Sequence, residues 1–132
     1  MCSSDLPMRA LLCLMGIATA AVSAGFTDQQ IEDARIWAHE SNEAFGVCLQ
    51  AEVQNKLHSR MAREDFALFI KGACAPETKA FRVLLVDYLT MKQPDLDAAI
   101  DLATAESVIQ QWRDAATQRY VESADSSVTP AD

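Results

Sequence analysis

The chain has little of what enzymes use. Its 132 residues include two histidines, His39 and His58. It has no Gly-x-Ser-x-Gly elbow, phosphate loop, dinucleotide fingerprint or His-Glu-x-x-His pair. A catalytic centre needs a base, a nucleophile and a stabiliser converging in one pocket, and this inventory is thin for all three. Glycine is scarce: of four in the chain, only Gly46 and Gly72 follow Gly25, too few for the tight turns of a many-stranded hairpin fold. Positive charge is scarce too. Against 19 Asp and Glu stand 11 Lys and Arg, a net charge of −8, a poor match for nucleic acid or anionic lipid, which want clustered cations. After Ala24 no apolar run reaches the roughly 20 residues that cross a bilayer. Sustained apolar alternation of period two, the mark of a half-buried strand, is missing as well.

What is present is helical period. Thr27-Asp28-Gln29-Gln30 has the spacing of a capping box, with the Thr27 hydroxyl and the Gln30 side chain each reaching a free amide. From there Ile31, Ala34, Ala38, Phe45, Cys48 and Val53 recur as a helical stripe. Trp37, Ala44, Val47 and Ala51 form a second stripe beside it, which predicts a helix buried on a wide face. Gly46 weakens that helix by about 1 kcal/mol against Ala, and its place two residues before Cys48 predicts close approach of a partner helix. A second helix, from about residue 63 to 75, carries Phe66, Phe69, Ile70, Ala73 and Cys74 on one face. Pro76 cannot continue that ladder but suits the first turn of a new helix, so a kink or short break is expected there. A third helix runs through Phe81, Leu84, Leu85, Tyr88 and Leu89 to about Lys92. After the turn Lys92-Gln93-Pro94-Asp95, with Asp95 as its cap, the fourth helix shows Leu102, Ala105, Ile109, Trp112, Ala116 and Tyr120. The pattern predicts an all-α fold, a small antiparallel bundle of about four helices, over residues 25–122. Residues 123–132 lose the period and are expected to be a disordered tail.

The front of the chain reads as an export signal covering residues 1–24. Met8-Arg9 leads into the apolar run Ala10 to Ala18, and Val22-Ser23-Ala24 supplies small residues for cleavage. Met8 is the expected true start, since Asp5 cancels the basic charge that such a segment wants. Residues 1–6 then read as an assembly artefact. The expected location is periplasmic or secreted, with no stable membrane insertion once the signal is removed.

In that compartment Cys48 and Cys74 are expected to bond to each other. Facing residues of two antiparallel helices have indices that sum to a constant, so this pair sets the fold-back at residue 61. There the helical pattern gives way to Lys56-Leu57-His58-Ser59-Arg60-Met61, with Ser59 available as a cap for the next helix. The same register sets Phe45 against Glu77, Leu49 against Ala73, Val53 against Phe69 and Leu57 against Asp65 beside Phe66, three of the four pairings setting apolar beside apolar. One disulfide-stapled helical hairpin then satisfies both the sulfurs and most of the apolar seam. A redox-active pair would favour Cys-x-x-Cys spacing at a helix start, and neither cysteine has that setting in the sequence.

Other candidate chemistry is slight. His39 and Glu43 lie one turn apart, but zinc sites recruit three or four protein ligands, and a solvated helix face accounts for these residues. Asp95, Asp97 and Asp101 suit the positive start of a helix, and the glycine of a calcium loop is absent. No catalytic residue, cofactor or metal site is therefore expected. One departure from the acidic background stands out: Lys56, His58, Arg60, Met61 and Arg63, with Lys71 farther along, gather at the hairpin tip. A local positive patch steers association even on an acidic body, which makes this tip a candidate contact for an anionic partner.

In its plan, Cys48, the gap that follows, and Ala73-Cys74-Ala75-Pro76-Glu77, the chain resembles small exported helical proteins of Gram-negative bacteria with one cysteine pair and no assigned function. A second resemblance rests on Cys74-Ala75-Pro76-Glu77, Leu85-Val86-Asp87-Tyr88-Leu89, Pro94 and Ala98-Ala99. These are similar to stretches of periplasmic immunity proteins that neutralise peptidoglycan amidases delivered by type VI secretion. That likeness implies a small helical inhibitor that blocks the active site of a cell-wall-degrading enzyme. The leading expectation is a non-catalytic exported module that binds another periplasmic or envelope protein, and the inhibitor is the alternative. An enzyme of unrecognised class would need a deep pocket joining His39 to several carboxylates.

Overall fold

A computed structural model of the chain describes residues 25–127, so the export signal and Met8 fall outside the described residues, as do the last five positions of the tail. The described residues form four α-helices: α1 (Asp28–Lys56), α2 (Arg63–Gly72), α3 (Ala75–Lys92) and α4 (Ala98–Ser126). A single 3-10 turn, Leu57–Ser59, follows α1. No strand occurs among the described residues.

The start of α1 is the predicted capping box. The Gln30 amide donates to Thr27 Oγ1 at 3.2 Å, and the Thr27 amide donates to Gln30 Oε1 at 2.9 Å. α1 then runs 29 residues without interruption through Gly46. Beside it α2 and α3 follow one another antiparallel to it. Lys56 Nζ of α1 sits 4.6 Å from the centre of the Phe69 ring. Cys48 is bonded to Cys74, and Phe45 stacks on Phe81 with ring centres 6.0 Å apart. The register set by the cysteines thus carries past Pro76 into α3, to within about a helical turn. α3 makes the closer backbone approach to α1, whereas α2 lies against α4. Small side chains explain the first: Ala34 and Ala38 are buried on α1 and Thr78 on α3, so the two axes can draw together.

The break between α2 and α3 falls where expected and has a backbone cause. Ala73 ends α2, its amide reaching Phe69 O at 3.2 Å. Cys74 then adopts a left-handed conformation, φ 57°, the usual way to terminate a helix. Pro76 follows within the first turn of α3, where its missing amide costs nothing.

α4 returns along the bundle, parallel to α1. Arg82 of α3 pairs with Glu106, and Thr90 Oγ1 donates to Asp101 Oδ2 at 3.1 Å. Farther along, the Phe66 ring of α2 stacks on Tyr120. The core is one cluster with members from every helix: Phe45, Leu49 and Val53 of α1, Phe66 and Ile70 of α2, Phe81 of α3, and Ile109, Ala116 and Tyr120 of α4. Full burial of side chains of this size stabilises by about 1.5–3 kcal/mol each.

Several details differ from the sequence reading. The second stripe on α1 faces outward: Trp37 is 55% and Val47 68% exposed, and Ala44 and Ala51 are exposed too. Among the described residues α1 packs on α3 and α4 through its first stripe, and the second lies off that face. The α4 stripe begins at Asp101, which is buried, and not at Leu102, which is exposed. The Thr90 hydroxyl satisfies this carboxylate, and with it the inward position goes to the polar residue. The cap of α4 is Asp97, accepting from the Ala99 amide at 2.8 Å, and not Asp95. Ser59 does not cap α2; its hydroxyl donates back to Lys56 O at 2.6 Å, and Ala62 stands at the α2 N-cap with no side-chain bond. Residues 123–126, expected to be disordered, continue α4. Once nucleated a helix extends at little cost, and this end has the hairpin tip beside it.

Gly46 does mark a close approach, but the neighbour is Trp112 of α4. A Cβ there would lie 3.1 Å from Trp112 Cζ3 and 3.2 Å from Cη2. Gly46→Leu is expected to destabilise by about 1–3 kcal/mol through overpacking. Gly72 has nothing within 4 Å of the same position, so Gly72→Ala is expected to stabilise by about 0.4–1 kcal/mol. Urea unfolding of the two variants side by side checks this difference in sign.

Candidate site at the hairpin tip

The tip is built by chain reversal between α1 and α2. After the 3-10 turn, Arg60 takes a left-handed backbone, φ 47°, a conformation that costs a non-glycine residue about 1–2 kcal/mol. What holds it is Met61. The Met61 carbonyl accepts from the Tyr120 hydroxyl at 2.9 Å, and the Tyr120 ring lies flat on Phe66, centres 4.1 Å and planes 1° apart. Leu57 and Met61 pack their side chains against the core from above. The reversal is therefore anchored at its base by buried aromatic rings.

Beside it lies a cleft of about 680 Å³ lined by Leu57, His58, Arg60, Met61, Ala124, Asp125 and Ser127. Of the five tip residues singled out from the sequence, the structure brings three together here: His58, Arg60 and Met61. Lys56 is drawn away, its ammonium resting over Phe69. Arg63 opens α2 and is exposed, outside the cleft wall. Lys71 lies in the last turn of α2, away from the tip. Sequence reasoning missed the opposite wall, Ala124, Asp125 and Ser127, because the end of α4 carries no apolar period. The signal that could have found the anchor is Tyr120, since a buried Tyr hydroxyl needs a partner.

Electrostatically the cationic stretch is narrow. Residues 56–63 hold Lys56, Arg60, Arg63 and His58 with no Asp or Glu, and none of the four makes an ion pair among the described residues. Immediately beyond, Glu64 and Asp65 occupy the first turn of α2, and Asp125 faces the cleft from α4. Arg60 and His58 thus offer N–H donors to an acidic group across a short span, flanked by acidic residues that would repel a uniformly anionic surface.

The other sequence candidates resolve as follows. Cys48 and Cys74 form the disulfide, with Cα atoms 6.0 Å apart, consistent with an oxidising extracytoplasmic environment. Cys74, however, is the N-cap of α3, a helix-start setting that the sequence reading did not give it. His39 pairs with Glu43 at 3.5 Å, both exposed, and no third ligand joins them among the described residues. His39 also lines a shallow groove with Arg35, Asn42, Phe81, Leu85 and Tyr88. There Arg35 hydrogen-bonds Glu32 at 2.6 and 2.8 Å and holds the Glu32 carboxyl below its ordinary range. No described helix is long and apolar enough to cross a membrane. No protein-family model, no curated protein and no solved structure matches the chain.

Proposed function

We propose that this chain is a non-catalytic exported helical module that binds another envelope protein through the hairpin tip. The observation that carries the reading is the anchored reversal: Arg60 and His58 stand unpaired and exposed on a backbone held by the Tyr120–Met61 hydrogen bond. Pre-ordering a contact loop removes part of the entropy cost of association. Arginine with neighbouring N–H donors suits an acidic side chain, which it can bind in bidentate fashion. The disulfide is consistent with an oxidising compartment, and export to the periplasm or beyond follows from the signal-like residues 1–24.

The test is affinity capture from a periplasmic extract, with charge reversal at the tip as its control. The tagged wild-type protein is expected to retain a partner that Arg60→Glu with Arg63→Glu loses by tenfold or more, about 1.4 kcal/mol or above. Unchanged retention by a reversed variant that keeps its far-UV circular dichroism would remove the tip from the reading. A retained partner that degrades peptidoglycan, and is inhibited on binding, would turn the module into an inhibitor.

A further inference from the structure

The disulfide has a third group beside it. One carboxylate oxygen of Glu77 and the sulfurs of Cys48 and Cys74 all lie within 4.8 Å of one another, and all three residues are partly buried. We propose that reduction of the Cys48–Cys74 bond converts this corner into a three-ligand zinc site, with Cys48 Sγ, Cys74 Sγ and a Glu77 oxygen on the ion and water in the fourth position.

The donor set fits. Two thiolates and one carboxylate suit a borderline-soft divalent ion such as zinc and disfavour magnesium or calcium. Three protein ligands and a water make a known form of zinc coordination. Zn–S bonds of about 2.3 Å and Zn–O bonds of about 2.0–2.2 Å place ligand atoms around a tetrahedral ion some 3.5–3.8 Å apart. Once reduced, the two sulfurs must part from their bonded distance to that separation, and the Glu77 oxygen already stands within 4.8 Å of both. Glu77 and Cys74 are fixed relative to each other by α3, as its N3 and N-cap residues. α1 and α3 stay in register without the sulfur bond, because Phe45 stacks on Phe81 and both belong to the core.

The chemistry balances with a dithiol reductant. Two electrons and two protons pass from the dithiol to the Cys48–Cys74 bond, leaving two protein thiols and the reductant's own disulfide. Zinc then binds as the thiols release those two protons to water. A metal cross-link between α1 and α3 replaces the covalent one.

The test uses protein reduced with a phosphine and kept anaerobic, titrated with Co²⁺ as a spectroscopic probe and then with Zn²⁺. The reduced protein is expected to develop thiolate-to-cobalt charge-transfer absorption that saturates at one ion per chain and disappears as zinc displaces cobalt. Glu77→Ala is expected to bind at least about tenfold more weakly, since even residues behind a ligand shift metal affinity by 10–100-fold. The oxidised protein is expected to bind none. Thermal unfolding supplies the second readout: at one zinc concentration the midpoint of the reduced wild type rises, that of Glu77→Ala rises less, and that of Cys48→Ser does not rise. Absence of the charge-transfer absorption in the reduced protein would overturn the site. So would equal affinity in Glu77→Ala, the behaviour of two cysteines on an unfolded chain.

Discussion

Replacing both bonded cysteines, as Cys48→Ser with Cys74→Ser, is expected to destabilise the protein by about 3.5 kcal/mol and lower its Tm by roughly 15–25 °C. The loop closed by the bond spans a sequence separation of 26, and the chain-entropy relation converts that length into the figure quoted. Net stabilities of single domains run to only about 5–15 kcal/mol, so the bond supplies a large share. Its position adds to the effect. It ties the middle of α1 to the corner where α2 gives way to α3, the point at which the second rod of the bundle is interrupted. Without it, only side-chain packing keeps the two segments in line. Thermal unfolding followed by circular dichroism measures the loss, and a shift below about 5 °C would mean that packing alone sets the corner.

Phe66→Ala is the substitution expected to cost most in the core, about 3–5 kcal/mol. Phe66 is 0% exposed and is stacked on Tyr120, with the Phe69 ring tilted against it at 5.9 Å. Aromatic pairs of this kind contribute about 0.5–1.5 kcal/mol beyond area burial. α2 has only ten residues, too short to persist without its apolar face. The loss should therefore spread: with Phe66 gone, Tyr120 is less firmly placed to hold Met61. Faster amide exchange across residues 57–63 is expected along with the fall in stability. Leu68→Ala, one face away and 66% exposed, should change stability by no more than about 0.5 kcal/mol. Urea unfolding of the pair separates burial from mere helix membership.

Much of this architecture was legible in the sequence for identifiable reasons. The pairing of Cys48 with Cys74 follows from an index rule that works because antiparallel helices advance at equal rise. The contacts on either side, Lys56 with Phe69 and Phe45 with Phe81, are offset from it by three and four residues, and α1 packs on α3 where the rule set it against α2. Thr27 and Gln30 are readable as a cap because capping is local chemistry. What period alone could not tell was which way a stripe faces. Trp37, Ala44, Val47 and Ala51 have helical spacing, yet among the described residues they lie outside the face of α1 that packs on α3 and α4. At the start of α4 the sequence favoured Leu102, and Asp101 lies inward with its carboxylate accepting from the Thr90 hydroxyl in a part-buried hydrogen bond. Gly46 announced a close contact, but only the fold could show that its neighbour is Trp112. The tip was half legible: its cations follow from eight consecutive residues, while Asp125 comes from an end of chain with no apolar pattern. Cys74 and Glu77 are three apart at a helix start, a spacing visible in the sequence. Its meaning depends on Cys48 arriving from another helix.

Non-reducing peptide mapping of protein purified from an oxidising compartment, with free thiols alkylated before digestion, tests the staple most directly. One cross-linked species joining the Cys48 peptide to the Cys74 peptide, with neither cysteine alkylated, is the predicted result. Recovery of both peptides separately and fully alkylated would contradict it.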